Sequence, residues 1–218
     1  MDIFVFGTLR SDTLREIVLG RDMSSNDICE ATIRDFQVYW AKEGPFPVMI
    51  PEPNSEAYGL VLKNLSEPDV ERLNYYELGF DYVLATTSVE THAGQIGVSA
   101  YFCNRSDMAT SKLWSYDDWL SDHSEIQYLA AREFLDFFGT KFGDTAQVMY
   151  NSILKRAEVF VSESSTPSSA LEIGPDLNTN IQIEDLKREY LGFFALNQVD
   201  LKYPFFDNST SGLKSRTI

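Results

Sequence analysis

The sequence has few of the residues that build metal centres and disulfide frameworks, since its 218 residues include two cysteines and two histidines. Cys29 and Cys103 lie far apart, a usage that favours a reducing cytoplasm over an oxidising compartment. Neither His92 nor His123 has a cysteine, histidine or acidic residue at the spacing of a metal site. We therefore expect a cytoplasmic protein that holds no metal.

Basic residues are scarce relative to acidic ones, because 18 Lys and Arg against 33 Asp and Glu leave a net charge of -15. This balance argues against a nucleic-acid or anionic-membrane partner. No stretch approaches the roughly 20 apolar residues that span a bilayer. The opening "MDIFVFG" lacks the basic and apolar segments of a signal peptide. With 44% hydrophobic residues, the composition instead predicts a folded globular protein.

Common catalytic and nucleotide-binding motifs are also missing. The sequence contains no G-x-S-x-G nucleophile elbow, no P-loop and no G-x-G-x-x-G fingerprint. We therefore expect no nucleotide cofactor.

The residue patterns predict an α+β fold in residues 1–160. Strand patterns with two short helices occupy the first part and predict a small mixed sheet curled toward a barrel. Within this part, "KEGPFPVMIPEPN" is expected to be a loop that contains several prolines and a short strand at Val48–Ile50. From Tyr116 onward the period becomes helical and predicts a helical pair, the first helix capped by Ser124. Residues 161–170 are serine-rich and predict a linker, and residues 171–218 return to extended patterns, which predict an arm.

The stretch "IFVFGTLR", residues 3–10, predicts a buried strand that stops at a glycine. One interpretation is an ordinary strand-to-helix turn, where glycine lets the chain bend tightly. The other is that the missing Cβ lets successive backbone N–H groups point at an anion or a carbonyl oxygen. The stretch alone leaves both interpretations open.

A second candidate stretch is "LNYYELGFDY", residues 73–82, at the end of the helix that Ser66 is expected to cap. Glu77 lies in the last helical turn, where the helix dipole disfavours a negative charge. Aromatic side chains crowd the same stretch, so partial burial is expected. Both effects raise a carboxyl pKa toward values useful in acid–base catalysis. The competing interpretation is an exposed glutamate beside a helix end.

Together the two stretches resemble the γ-glutamylcyclotransferase-like (AIG2-like) family. The strand ending in "FGTLR" is followed about seventy residues later by L-x-x-Y-E-x-G-F-x-Y, and "GPFPVMIP" looks like the family's G-x-F-P segment. The resemblance covers roughly residues 1–105. It implies a small β-barrel with flanking helices and a cavity where the glycine turn meets the glutamate.

The resemblance also implies an activity, the cyclisation of a small γ-glutamyl amine or amide to 5-oxoproline without a cofactor. Glu77 would be the catalytic acid–base. The substrate-binding positions would be Phe6, Gly7, Thr8, Leu9, Arg10 and Tyr82. The sequence departs from the family at Phe6, which replaces a tyrosine, and at Leu78, which replaces a glycine. These departures keep open an alternative, a non-catalytic AIG2-like binding or dimerisation module.

Residues 188–212 carry a second resemblance, to the N-terminal arm of Nudix ADP-ribose pyrophosphatases. The segment contains the run Y-x-G-F-F and, further on, a phenylalanine followed by aspartate. Bacterial fusions of the two domains, often labelled tellurite-resistance proteins, resemble the sequence as a whole, but the 218 residues contain no Nudix box. The four phenylalanines of the arm predict that it folds back on the domain or exchanges across a homodimer.

Overall fold

A computed structural model of the protein describes residues 1–77, 82–103, 105–139 and 146–164. The strands are β1 (Ile3–Val5), β2 (Ile28–Ala41), β3 (Pro47–Leu62), β4 (Tyr82–Thr91), β5 (Gly94–Cys103) and β6 (Ala109–Leu113). The helices are α1 (Asp12–Leu19), α2 (Glu67–Glu77), α3 (Tyr116–Asp122), α4 (Ser124–Leu135) and α5 (Ala146–Ser164). A short 3-10 turn, Thr8–Arg10, connects β1 to α1.

Five of these strands close into a mixed barrel. The strands follow the order β3-β1-β5-β4-β2, and a pairing between β2 and β3 closes the ring, while β6 adds to the outer side of β2. β1 runs parallel to β5 and antiparallel to β3. All three residues of β1 are buried, as expected for a short apolar strand between two neighbours. The predicted α+β fold with a small mixed barrel is confirmed.

The proline-rich segment after β2 differs from the sequence prediction. The structure has no short strand limited to Val48–Ile50, because β3 runs without interruption from Pro47 to Leu62. A shift in the pairing of β2 and β3 creates a bulge that accommodates the prolines. Asp35 and Asn54 adopt positive φ values of 61° and 65° there, and the Asn54 amide donates to Asp35 Oδ1 at 2.9 Å. Pro53 lies in this unpaired stretch, where its missing N–H removes no ladder hydrogen bond.

The helical region after β6 begins at Tyr116, where the sequence pattern becomes helical, but it contains a helix, α3, before the first helix of the predicted pair. Ser115 caps α3, because its hydroxyl accepts from the Asp118 amide at 3.1 Å. Ser124 is the first residue of α4 instead of its cap, and its hydroxyl donates to Leu120 O at 2.6 Å. His123, with φ of -132° and ψ of -15°, departs from helical geometry and separates the two helices.

The last described helix reaches into the predicted linker. α5 continues to Ser164, so the first four residues of the segment 161–170 are helical. The remainder of that segment and the predicted arm at 171–218 lie outside the described residues. No helix of the described part of the chain is long and apolar enough to cross a membrane.

Candidate active site

The turn after β1 requires glycine because the start of β3 packs directly against it. A Cβ atom on Gly7 would lie 2.4 Å from Pro47 Cγ, which is closer than real Cβ contacts allow. Within the 3-10 turn, the amides of Arg10 and Ser11 donate to Gly7 O and Thr8 O, each at 3.0 Å. The amides of Thr8 and Leu9 precede that of Arg10, the first amide that donates within this turn, so they have no acceptor inside it.

Arg15, on α1, fixes this turn from behind. Its guanidinium donates from Nη1 to Leu9 O at 2.9 Å and to Arg10 O at 2.7 Å. The residue is only 3% exposed, and it also forms an ion pair with Asp12. A hydrogen-bonded guanidinium in this position orients the peptide groups of the turn. The sequence prediction missed this residue, because an arginine in a short amphipathic helix is usually solvated.

The turn, the end of α2 and the start of β3 enclose a cavity of about 70 Å³. Six of the seven predicted site residues line it: Phe6, Gly7, Thr8, Leu9, Glu77 and Tyr82. Phe46 and Pro47 of the predicted G-x-F-P segment line it as well. The structure therefore brings together the two stretches that the sequence singles out.

Glu77 is the acidic residue of this cavity, and its surroundings are almost entirely apolar or aromatic. Its side chain is half-buried: one side borders the cavity, and protein atoms surround the rest. Burial raises the pKa of Glu77 from 4.5 to about 7. Among the described residues that line the cavity there is no lysine, arginine or histidine to stabilise the carboxylate. The carboxyl group can therefore exchange a proton near neutral pH.

Four tyrosines surround Glu77, namely Tyr76, Tyr82, Tyr101 and Tyr150. Burial is the main cause that raises the pKa of each hydroxyl above its ordinary value, and the charge of Glu77 contributes in all four cases. All four hydroxyls are therefore neutral at physiological pH and can act as hydrogen-bond donors or acceptors. Phe6 contributes no hydroxyl, so these tyrosines supply the phenolic groups of the cavity.

Two of the predicted substrate contacts are engaged in other interactions. The Arg10 guanidinium lies over the Tyr116 ring, 4.4 Å from its centroid, and Arg10 does not line the cavity. Tyr82 does line the cavity, but its hydroxyl donates to Pro47 O at 2.9 Å. This bond holds Pro47 in the position that requires glycine at residue 7.

The sequence prediction missed the wall that α4 and α5 contribute. Gln127 and Tyr150 line the cavity, although the sequence showed only two amphipathic helices in this region. One signal was available for Gln127. It stands three, four and seven residues before Ala130, Ala131 and Phe134, which makes it a polar residue on a buried helical face.

Comparisons with known proteins agree with this architecture. Residues 3–121 match the family model described as gamma-glutamyl cyclotransferase, AIG2-like. Because the match covers more than half of the sequence, the chain belongs to this family. AIG2-like protein A of Arabidopsis thaliana is 24% identical over 127 residues, which are 57% of this chain and 74% of that protein. Protein AIG2 A of the same plant is 23% identical over 172 residues, which are 78% and 94% of the two chains.

Solved structures also align with the chain. A gamma-glutamyl cyclotransferase structure aligns with a TM-score of 0.41 and 15% identity, covering 86% of this chain and 98% of that one. A solution structure from Arabidopsis thaliana aligns with a TM-score of 0.45 and 21% identity, covering 64% and 93%.

Proposed function

We propose that this protein is a γ-glutamylcyclotransferase that converts a small γ-glutamyl amine or amide to 5-oxoproline. One observation carries the proposal: Glu77, with a pKa raised to about 7, shares a cavity with the glycine turn of residues 7–9. Family membership supports the reaction type. The alternative role, a non-catalytic binding or dimerisation module, gives no reason for an uncompensated carboxyl group in a cavity.

The reaction needs one group that can both accept and donate a proton. Glu77 accepts a proton from the α-ammonium of the substrate, and the freed amine attacks the γ-carbonyl carbon to form a ring C–N bond. The bond from that carbon to the leaving nitrogen then breaks as Glu77 returns its proton to that nitrogen. The second proton of the ring nitrogen passes to the departing amine, which leaves as an ammonium ion. A carboxyl group with a pKa of about 7 is suited to both transfers at neutral pH. No electrons are transferred, so the reaction requires no redox cofactor.

The glycine turn supplies the electrostatic part of the mechanism. Attack on the γ-carbonyl places negative charge on its oxygen, and backbone N–H groups are effective donors to such an oxyanion. The amides of Thr8 and Leu9 have no acceptor within their own turn and belong to residues that line the cavity. Arg15 holds the carbonyls of Leu9 and Arg10, so the turn is organised before the substrate enters.

The test is to detect 5-oxoproline by NMR after incubating the protein with a panel of γ-glutamyl amino acids, amines and dipeptides. Glu77→Gln should lower the rate by about 100-fold or more, which is the usual contribution of a general acid–base group. Glu71→Gln is the matched control, because Glu71 lies on the same helix but is exposed. No product from the parent, or equal rates for the parent and Glu77→Gln, would contradict the proposal.

Further predictions from the sequence accompany this proposal. A cytoplasmic location, a role in tellurite resistance and a homodimer formed through residues 171–218 remain predictions. The expected absence of nucleic-acid and membrane partners rests on the charge and composition of the chain.

A further inference from the structure

The α4–α5 wall of the cavity lies outside the residues that match the family. The match ends at residue 121, whereas Gln127 and Tyr150 come from α4 and α5. Both residues are buried and both line the cavity.

A buried donor fixes the orientation of the Gln127 amide. The Trp119 indole N–H donates to Gln127 Oε1 at 2.6 Å, and an indole nitrogen can only donate. Gln127 Oε1 is therefore an acceptor here, and the amide nitrogen must be directed elsewhere. Gln127 Nε2 donates to the Tyr150 hydroxyl at 3.5 Å. Trp119 and Gln127 thus set the position of the Tyr150 side chain.

The same chain of polar groups continues to the glycine turn. Tyr150 is hydrogen-bonded to Tyr76, and Tyr76 is hydrogen-bonded to Thr8. Three hydroxyl groups, those of Thr8, Tyr76 and Tyr150, are therefore adjacent at one end of the cavity. Much of the remaining wall is apolar and includes Phe4 and Val5. The ligand group that needs several hydrogen bonds belongs at the end with the hydroxyls.

We infer that Tyr150, positioned by Gln127, is a substrate-binding residue that donates a hydrogen bond to the α-carboxylate of the γ-glutamyl group. The inference rests on the proposed function for the identity of the ligand. The described residues lining the cavity include no cation, so a carboxylate must be held by neutral donors. The Tyr150 hydroxyl and the amides of the turn are such donors.

The test measures binding separately from turnover. Isothermal titration with L-5-oxoproline, which has the carboxylate but no leaving group, gives the Kd of the parent and of Tyr150→Phe. We expect Tyr150→Phe to raise this Kd by at least about tenfold, the usual effect of one lost hydrogen bond to a charged group. The carboxamide of 5-oxoproline lacks the charge, and its weaker binding should be nearly the same in both proteins. With a substrate identified, KM should rise while kcat changes by less than about threefold.

Two further variants separate positioning from general damage. Tyr75→Phe is the matched control, since its hydroxyl donates to Phe137 O at 2.7 Å and does not line the cavity. It should leave the Kd unchanged. Gln127→Met removes the amide while keeping the length of the side chain. Its effect should be smaller than that of Tyr150→Phe, and the double variant should bind no more weakly than Tyr150→Phe alone.

The outcomes distinguish this inference from the proposed function. Turnover by the parent together with an unchanged Kd for Tyr150→Phe overturns the inference and leaves the cyclotransferase proposal standing. A Kd that depends on Tyr150, without any turnover, supports the carboxylate site and overturns the enzymatic proposal. If the folded parent does not bind L-5-oxoproline, or if Tyr150→Phe weakens the carboxamide equally, the inference is overturned.

Discussion

The two ends of α2 hold carboxyl groups in opposite electrostatic states. At the first turn, Asp69 forms two hydrogen bonds with Arg21, of 2.8 and 2.6 Å, and accepts from the amide and hydroxyl of Ser66. Arg21, and then Ser66, holds the pKa of Asp69 well below its usual range, against the effect of burial. At the last residue, burial raises the pKa of Glu77 to about 7.

The difference shows that one helix can hold an acidic residue that stabilises the fold at one end and an acidic residue suited to proton transfer at the other. Asp69 completes a capping box at the positive end of the helix dipole, so its charge stabilises the fold. Glu77 lies at the negative end and faces aromatic residues, so ionising it costs free energy. A residue that costs stability in this way is typical of a functional site. Each prediction below changes one side of this comparison.

The largest effect on stability is expected from Glu77→Gln. In the unfolded chain this carboxyl ionises from about its ordinary pKa of 4.5, whereas in the folded protein it resists ionisation up to about 7. At pH 8 the parent should therefore lose about 3 kcal/mol of folding free energy relative to a neutral side chain. Glu77→Gln should recover that amount at pH 8 and nothing at pH 4, measured by urea unfolding. A variant that is destabilised at pH 8 would contradict the burial of this carboxyl.

A nearly equal effect is expected in the pH dependence of the rate. If Glu77 acts first as a base, kcat/KM should fall about tenfold per pH unit below 7, reaching about 100-fold at pH 5. Above pH 7 it should level off. Rates of 5-oxoproline formation between pH 4 and 8 provide the measurement, with Glu71→Gln as the control that retains the profile. A fall in kcat/KM centred near pH 4.5 would show that burial does not raise the pKa of the catalytic carboxyl group.

The sequence predicted both ends of α2, because their signals are local. Ser66 and the acids that follow it are a capping pattern, and Glu77 stands among aromatic residues at a helix end. Tyr150 could not be predicted in the same way. Helical periodicity indicates that one face of α5 is buried, but it does not say which element covers that face. Tertiary packing alone places the Tyr150 hydroxyl beside α2.

The same distinction explains the other differences between prediction and structure. Gly7 was expected at a turn, but glycine is required there because Pro47, forty residues later, packs against it. No local sequence pattern predicts that contact. Likewise β3 continues through its prolines because Asp35 and Asn54 form a bulge across two strands. Long-range contacts thus decided the features that the sequence left open.

Asp69→Asn tests the opposite end of the helix and should have a smaller effect. We expect the free energy of unfolding to fall by about 2 kcal/mol at pH 7, because the variant loses the ion pair with Arg21. The loss is limited because Arg21 is 46% exposed, so water can solvate its charge when the partner is removed. The pKa of Asp69 is lowered, so its contribution is present above its ordinary value of 3.8 and is lost only as the pH falls below that value. Urea unfolding at pH 7 and pH 3 measures this. A shift of the rate profile in this variant would show that the two ends are coupled.

The smallest effect is expected from Tyr82→Phe, which removes a hydroxyl close to Glu77. That hydroxyl donates to Pro47 O instead of to the carboxylate, so its loss should cost about 1 kcal/mol of stability through the unsatisfied carbonyl. Burial is the cause of the raised pKa of Glu77, and the phenylalanine ring preserves that burial. The acid limb of the rate should therefore stay near pH 7, measured alongside the parent. A limb that moves by a full pH unit would mean that the hydroxyl, and not burial alone, sets the protonation of Glu77, and the contrast between the two ends of α2 would need a different physical cause.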